Sequence, residues 1–190
     1  MVLVGEGVRA AAEALVGRRL DEVRYSTMKW GRKDRRFWDH EVAHVVEYGV
    51  DLVTDWGTTG VVWTSYGAFG MGVDLVEGPV LAEFARAGLD VSPRQARTVD
   101  VTHLVPWRGL IGRKIQSVTV HLHEARWDEP VTGPAAVTVR CDDGPPVAAV
   151  CGSWIGPADP IYLTGDDIII LWEPEVATAV APSLELGLGT

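Results

Sequence analysis

The sequence predicts a mainly β fold: a β-rich α+β chain arranged as an internally duplicated, pseudo-twofold β-sandwich or barrel with one or two short helices. Three observations predict it. The stretch Leu15-Val16-Gly17-Arg18-Arg19-Leu20-Asp21-Glu22-Val23 recurs as Leu110-Ile111-Gly112-Arg113-Lys114-Ile115-Gln116-Ser117-Val118, an internal repeat with a spacing of about 95 residues. Each copy runs into apolar alternation, through Leu20, Val23 and Tyr25 in one and Ile115, Val118, Val120 and Leu122 in the other, the period of a half-buried strand. Further on, Val50 to Gly57 and Ala136 to Gly144 each carry an alternating strand into an acidic turn with glycine.

Taken in order, Val8 to Val16 is rich in Ala and Leu with Gly17 placed as a stop, the pattern of a short helix. Its counterpart, Asp100 to Ile111, contains Pro106, which breaks or kinks a helix, and ends on Gly112. Strands follow from Leu20 and from Ile115. Gly31 to Asp39 and Glu124 to Gly133 are polar or turn-rich, each with a Trp-Asp pair (Trp38-Asp39, Trp127-Asp128), and are expected as loops. Val42 to Thr54 and Ala135 to Arg140 supply second strands, Asp55-Trp56-Gly57 and Asp142-Asp143-Gly144 the turns, and Val61 to Ser65 and Val147 to Cys151 the returning strands. Glycine-rich bends at Gly67 to Gly72 and Gly152 to Gly156 precede closing strands at Val73 to Val76 and Asp167 to Trp172. Between the copies, Pro79 to Ala87 is a second helix with Pro near its start and Gly88 after its end. The expected organisation is a first β repeat over 1–88, a linker over 89–101 and a second β repeat over 102–190. The two halves should pack as one unit, since that buries their apolar faces and removes sheet edges.

Composition limits the function. With 190 residues, 47% hydrophobic and 23% charged, the chain can bury a core. It has no basic leader and no apolar run long enough to cross a bilayer, so it is expected to be non-membrane and unexported. Cys141 and Cys151 flank a turn without lying opposite one another, so a disulfide is not expected and a reducing cytoplasm fits. The net charge of −9 argues against a general nucleic-acid binder. Eight bases against three acids between Arg18 and Arg36 nevertheless put a basic patch on an acidic body.

Four patterns suggest chemistry. His40-Glu41-Val42-Ala43-His44 matches the zincin pattern, in which a helix brings two histidines to one zinc and Glu activates water. The β-branched Val42, Val45, Val46, Val50 and Val53 favour a strand instead, in which His40 and His44 stand some 13 Å apart at about 3.3 Å per residue, too far to share a metal. The alternate residues His121 and His123 share a strand face and are the better pair for zinc or a similar divalent ion, with His103, Asp100 or a neighbouring carboxylate as a third ligand. Against that, the same alternation turns both histidines outward and the aliphatics inward. Trp30, Arg32, Arg35, Arg36 and Trp38 interleave cations with aromatics, a composition that suits a protein-binding loop or a base-stacking surface. Asp142, Asp143, Asp166 and Asp167 lie in turns that, clustered at one end of a sandwich, form an acidic binding face.

The functional expectation is a non-enzymatic cytoplasmic protein-interaction module of inhibitor or immunity type. Its partner is another protein, met through the acidic or the Trp/Arg-rich loop face and speeded by charge complementarity. No cofactor and no membrane are expected, nucleic acid is disfavoured, and unpaired edges allow a homodimer. The alternative is a small-molecule binder or metal-dependent enzyme. Its pocket would lie between the repeats, lined by some of the eight tryptophans, with Glu41, His44, Glu124 and Asp128 as acids or bases.

Overall fold

Alternation of buried and exposed positions sorts the strands into two facing sheets. The computed structural model describes residues 2–3, 5–28, 37–67, 70–126, 130–154, 159–163, 165–184, 186 and 188. In chain order the elements are β1 (Val2–Leu3), α1 (Glu6–Leu15), β2 (Leu20–Met28), β3 (Trp38–Asp39), β4 (Ala43–Val46), β5 (Gly49–Thr54), β6 (Gly57–Ser65), β7 (Met71–Glu77), α2 (Val80–Arg86) and β8 (Ala96–Asp100). A 3-10 turn, Trp107–Gly109, precedes β9 (Ile115–Arg126), β10 (Pro130–Cys141), β11 (Val147–Ser153), β12 (Tyr162–Leu163), β13 (Asp167–Leu171) and α3 (Pro174–Val180). The smaller sheet is antiparallel throughout, ordered β7-β6-β5-β2-β8. The larger runs β1-β10-β11-β13-β4-β3, with β9 also on β10 and β12 also on β11. Among the described residues no helix is long and apolar enough to cross a membrane.

The main core lies between the sheets. Val23, Tyr25, Val50, Leu52, Val61 and Val73 of the small sheet meet Val137, Val139, Val147, Ala149, Ile168 and Ile170 of the large one. Fully burying each such aliphatic side chain contributes about 1.5–3 kcal/mol. The helix α1 adds Val8, Ala12 and Leu15 to this core, packing against β7 and β9. The outer face of the large sheet is covered too: Ala136, Ala148, Val150, Ile169 and Leu171 lie under Trp154, Ile161, α3 and a tail carrying Leu184, Leu186 and Leu188. Burial on both faces explains why Ile168-Ile169-Ile170-Leu171 is apolar without alternation. On the outer face of the small sheet, Tyr48 and Val62 pack with Val80 and Phe84 of α2.

The mainly β, sandwich-like architecture, both hairpins and the helices α1 and α2 stand where the sequence places them. Four details differ. Val42 to Thr54 is not one strand. It divides into β4 in the large sheet and β5 in the small one, crossing between them at Glu47 and Tyr48. Gly49 makes the crossing feasible: its φ is 148°, and a Cβ there would run into the carbonyl oxygen of Val61. Residues 124–126 and 130–133 are strand and not loop, because pairing continues from Gly133↔His123 to Pro130↔Arg126 and lengthens the β9–β10 ladder. Its prolines occupy positions a strand tolerates, Pro130 as first residue and Pro134 beside a bulge. The segment 89–101 contains β8, which pairs with β2. A third helix, α3, starts on Pro174 at its first position.

The two Gly-Arg turns meet each other. Gly17 N–H donates to Ile115 O at 2.8 Å and Gly112 N–H to Leu20 O at 2.7 Å, while Leu20 N–H donates to Arg113 O at 2.9 Å and Ile115 N–H to Arg18 O at 2.8 Å. Within each pair, one bond becomes the other when the residues are exchanged by the offset between Gly17 and Gly112. Both glycines have positive φ, 83° and 79°. Each sheet also holds an antiparallel run of four strands, β2-β5-β6-β7 in one and β9-β10-β11-β13 in the other.

Candidate functional site

The tip of the β5–β6 hairpin is fastened to the segment after α1, and the fastening builds a cleft. Thr54 Oγ1 accepts the Trp56 N–H at 3.3 Å and donates to Gly57 O at 3.1 Å, which fixes the turn. Asp55 N–H donates to Arg19 O at 3.1 Å, and Arg19 N–H returns a bond to Asp55 Oδ1 at 3.1 Å. Arg18 is thereby held against Trp56, its guanidinium carbon 3.3 Å from the ring centroid, a cation–π contact. Trp56 is 73% exposed, the most exposed of the large hydrophobic side chains described. Beside the pair opens a cleft of about 540 Å³, walled by Ala11, Ala14 and Leu15 of α1, Thr58 and Thr59 of β6, and Val76 to Pro79 at the end of β7.

Arg18 differs from its neighbours. Arg19 pairs with Asp21 at 2.7 Å, Arg24 with Glu22 at 2.5 Å, and Arg86 with Glu83. Arg18 bonds through Nε to Ala14 O at 3.4 Å and has no carboxylate partner among the described residues. The corresponding turn of the second half is packed differently. Asp142 N–H donates to Lys114 O at 3.0 Å, as Asp55 does to Arg19, but Arg113 Nη1 is spent on Asp142 O at 2.7 Å. Gly144 there lies so close to Leu110 that a Cβ would stand 2.5 Å from its Cδ2.

A second cluster is buried between the sheets. Trp107 Nε1–H donates to Tyr25 Oη at 2.7 Å, and Tyr25 Oη lies 2.9 Å from His44 Nδ1. Indole is a donor only, so the phenol hydrogen goes to His44 Nδ1, and the neutral imidazole carries its proton on Nε2, facing Asp39 Oδ1 at 3.8 Å. Phe37 and Trp172 pack on the His44 ring with centroids 4.7 and 4.9 Å away. Burial pushes His44 down to about 4, despite the opposing pull of Asp39, and pushes the Tyr25 phenol up. With His44 4% exposed and Tyr25 0%, this is a buried, neutral contact between the sheets.

The zincin-like pattern is neither helix nor continuous strand. His40, Glu41 and Val42 form the turn between β3 and β4, with His40 N–H donating to Ala43 O at 3.0 Å and Glu41 at φ 67°. His40 packs on Trp38 and Trp154, while His44 is buried on the strand. His121 and His123 lie on β9. Thr138 Oγ1 donates its one hydrogen to Leu186 O at 2.9 Å, so it accepts from His121 Nε2–H at 2.8 Å, and that nitrogen is occupied. Among the described residues no three His, Cys, Asp or Glu side chains are grouped as metal ligands.

Of the expected interaction surface, Trp30, Arg32, Arg35 and Arg36 lie outside the described residues, as does Asp128. Trp38 is 46% exposed on β3, the edge of the large sheet. Asp142 and Asp143 form the β10–β11 turn beside Val147, whereas Asp167 pairs with Gly152 near the far end of β11. The four aspartates therefore do not share one loop cluster. Burial, then Asp166 and Glu47, push Asp167 up to about 6. Glu41 and Glu124 are exposed. Both cysteines are free and buried, and Cys151 Sγ donates to Gly165 O at 3.0 Å. Sequence reasoning missed Arg18 and Trp56 as a site; the available signal was a tryptophan at a hairpin tip, where turn residues are ordinarily small and polar. No protein family, curated protein or solved structure matches the chain.

Proposed function

We propose that the chain is a non-enzymatic protein-interaction module that docks a protein partner at the Trp56–Arg18 cleft. One observation carries the reading: an exposed tryptophan, held rigid by its turn and by a stacked arginine, stands at the mouth of an open cleft. Trp and Arg are enriched in binding hot spots, Trp for its large contact area and Arg for its several donors. Free, buried cysteines favour a reducing cytoplasm as the place of action. The small-molecule alternative has its own support, since about 540 Å³ is within the range of small-ligand sites.

The test compares the wild-type chain with Trp56→Ala as bait in lysate of the source cells, with quantitative mass spectrometry of what each retains. The reading expects at least one protein enriched about tenfold or more on wild type and lost on Trp56→Ala, as removal of a hot-spot side chain requires. A retained set indifferent to Trp56→Ala overturns it.

A further inference from the structure

We infer that the cleft beside Trp56 seats an acidic peptide segment of the partner, one whose carboxylate pairs with Arg18. The inference rests on the docking role proposed for this cleft and adds the chemistry of what enters it.

Arg18 is the starting point. In a chain of net charge −9, the arginines Arg19, Arg24 and Arg86 are each neutralised by a carboxylate of their own. Arg18 is not: among the described residues its side chain bonds only through Nε, to Ala14 O at 3.4 Å, and its terminal nitrogens have no partner there. It is nevertheless held in place, half-buried and flat against the Trp56 ring. Stacking uses the face of a guanidinium and leaves its edge for in-plane hydrogen bonds, the geometry that accepts a carboxylate through two parallel bonds. A side chain immobilised before its ligand arrives has already lost the rotamer freedom that binding would otherwise cost.

The rest of the cleft sets the form of the occupant. Ala14, Leu15 and Val76 offer apolar contact, and the exposed Glu77 carboxylate supplies an acceptor at the rim. A peptide meets all three demands, with a carboxylate side chain for Arg18, an apolar neighbour for the wall and backbone N–H groups for Glu77. The acidic body does not forbid this. At physiological salt distant charges are screened beyond about 8 Å, so the groups lining the cleft decide what it holds.

The test is an NMR titration of the full chain with three blocked dipeptides, acetyl-Leu-Glu-amide, acetyl-Leu-Gln-amide and acetyl-Leu-Lys-amide. It is read at the Trp56 indole N–H, assigned by its disappearance in Trp56→Phe. The Glu peptide is expected to shift this signal with a Kd in the millimolar range and to bind at least about fivefold tighter than the Gln peptide, with the Lys peptide weakest. Arg18→Gln should abolish that preference while its thermal midpoint stays within a few degrees of wild type. Equal binding of the Glu and Gln peptides, a preference that survives Arg18→Gln, or no shift with any peptide overturns the inference. The docking role falls by its own test: a retained set indifferent to Trp56→Ala removes the protein partner even where the Glu peptide is preferred, and a set dependent on Trp56 keeps the docking role where the peptides show no preference.

Discussion

Tyr25 on β2 and His44 on β4 join the two sheets through a 2.9 Å hydrogen bond, inside a core of aliphatic and aromatic side chains. Trp107 completes the chain by donating to the same phenol oxygen at 2.7 Å. Tyr25→Phe keeps the ring packed edge-on against Phe37 at 5.1 Å but leaves an indole donor and an imidazole acceptor buried without partners. The expected loss is about 2–4 kcal/mol, most of it the desolvation of those two groups, read as a lower urea midpoint at unchanged m value.

Two buried groups make opposite contributions to pH dependence. His44 is held down to about 4 by burial, so the unfolded chain binds more protons between its ordinary value and 4. Stability from this group is complete above pH 6.5 and is lost as pH falls through 4. Asp167 is pushed up to about 6, so the folded chain holds the extra proton; its contribution is complete below pH 3.8 and lost as pH rises through 6. Between pH 4 and 6 the two offset each other. Asp167→Asn removes one side of this balance. It should raise stability at pH 7 by about 1 kcal/mol after solvent screening, read as a higher urea midpoint, and steepen the rise of stability from pH 4 to 6. A pH profile parallel to wild type would contradict that account.

What the sequence reveals of this fold is what local chemistry controls. The hairpin turns at Asp55-Trp56 and Asp142-Asp143, the stop at Gly17 and the alternation in β2 and β9 are properties of a few neighbouring residues, and each is where it was expected. The division of Val42 to Thr54 is not local, because β4 and β5 are equally β-branched and only their pairing partners, Ile168 to Leu171 for one and Val23 for the other, separate them. Glu124 to Gly133 misleads for the same reason, with long-range pairing overriding turn-rich composition. Arg18 was legible only as one of eight bases; that Arg19 and Arg24 take a carboxylate, whereas Arg18 has none among the described residues, depends on side-chain geometry. The aspartates were legible as turn residues, but which end of β11 each turn occupies is set by the order of strands in the sheet.

Gly49 is the most demanding single position at the crossing between sheets. Gly49→Ala combines a φ of 148° with a methyl group directed at the Val61 carbonyl, and β5 cannot retreat because it is paired on both sides, with β2 and β6. A loss of more than about 3 kcal/mol is expected, enough to put most of the chain in the insoluble fraction on expression. Gly57→Ala, also at positive φ but with nothing within 4 Å of the added carbon, should cost about 1–2 kcal/mol and remain soluble. Comparable yields of the two variants would show that the close approach does not control the crossing.

Among the described residues, the tail after α3 is held to the large sheet by a polar contact at Leu186 and by three leucines. Thr138 Oγ1 donates to Leu186 O at 2.9 Å and accepts from His121 at 2.8 Å, while Leu184, Leu186 and Leu188 cover Ala136, Val150 and Ile169. Thr138→Val keeps the shape of the side chain but orphans the Leu186 carbonyl and the His121 N–H, a cost of about 1–3 kcal/mol. Because the tail's described residues lie in no strand, it opens before the sheet does, and most of that cost should be read locally. Limited proteolysis after Leu184 is expected to run about tenfold faster in Thr138→Val, with only a small change in the urea midpoint of the whole chain. Truncation after Ser183 goes further, exposing an apolar sheet face, and should yield a folded but self-associating protein by light scattering. Tail cleavage at the wild-type rate in Thr138→Val would place the tail's attachment in the leucines alone.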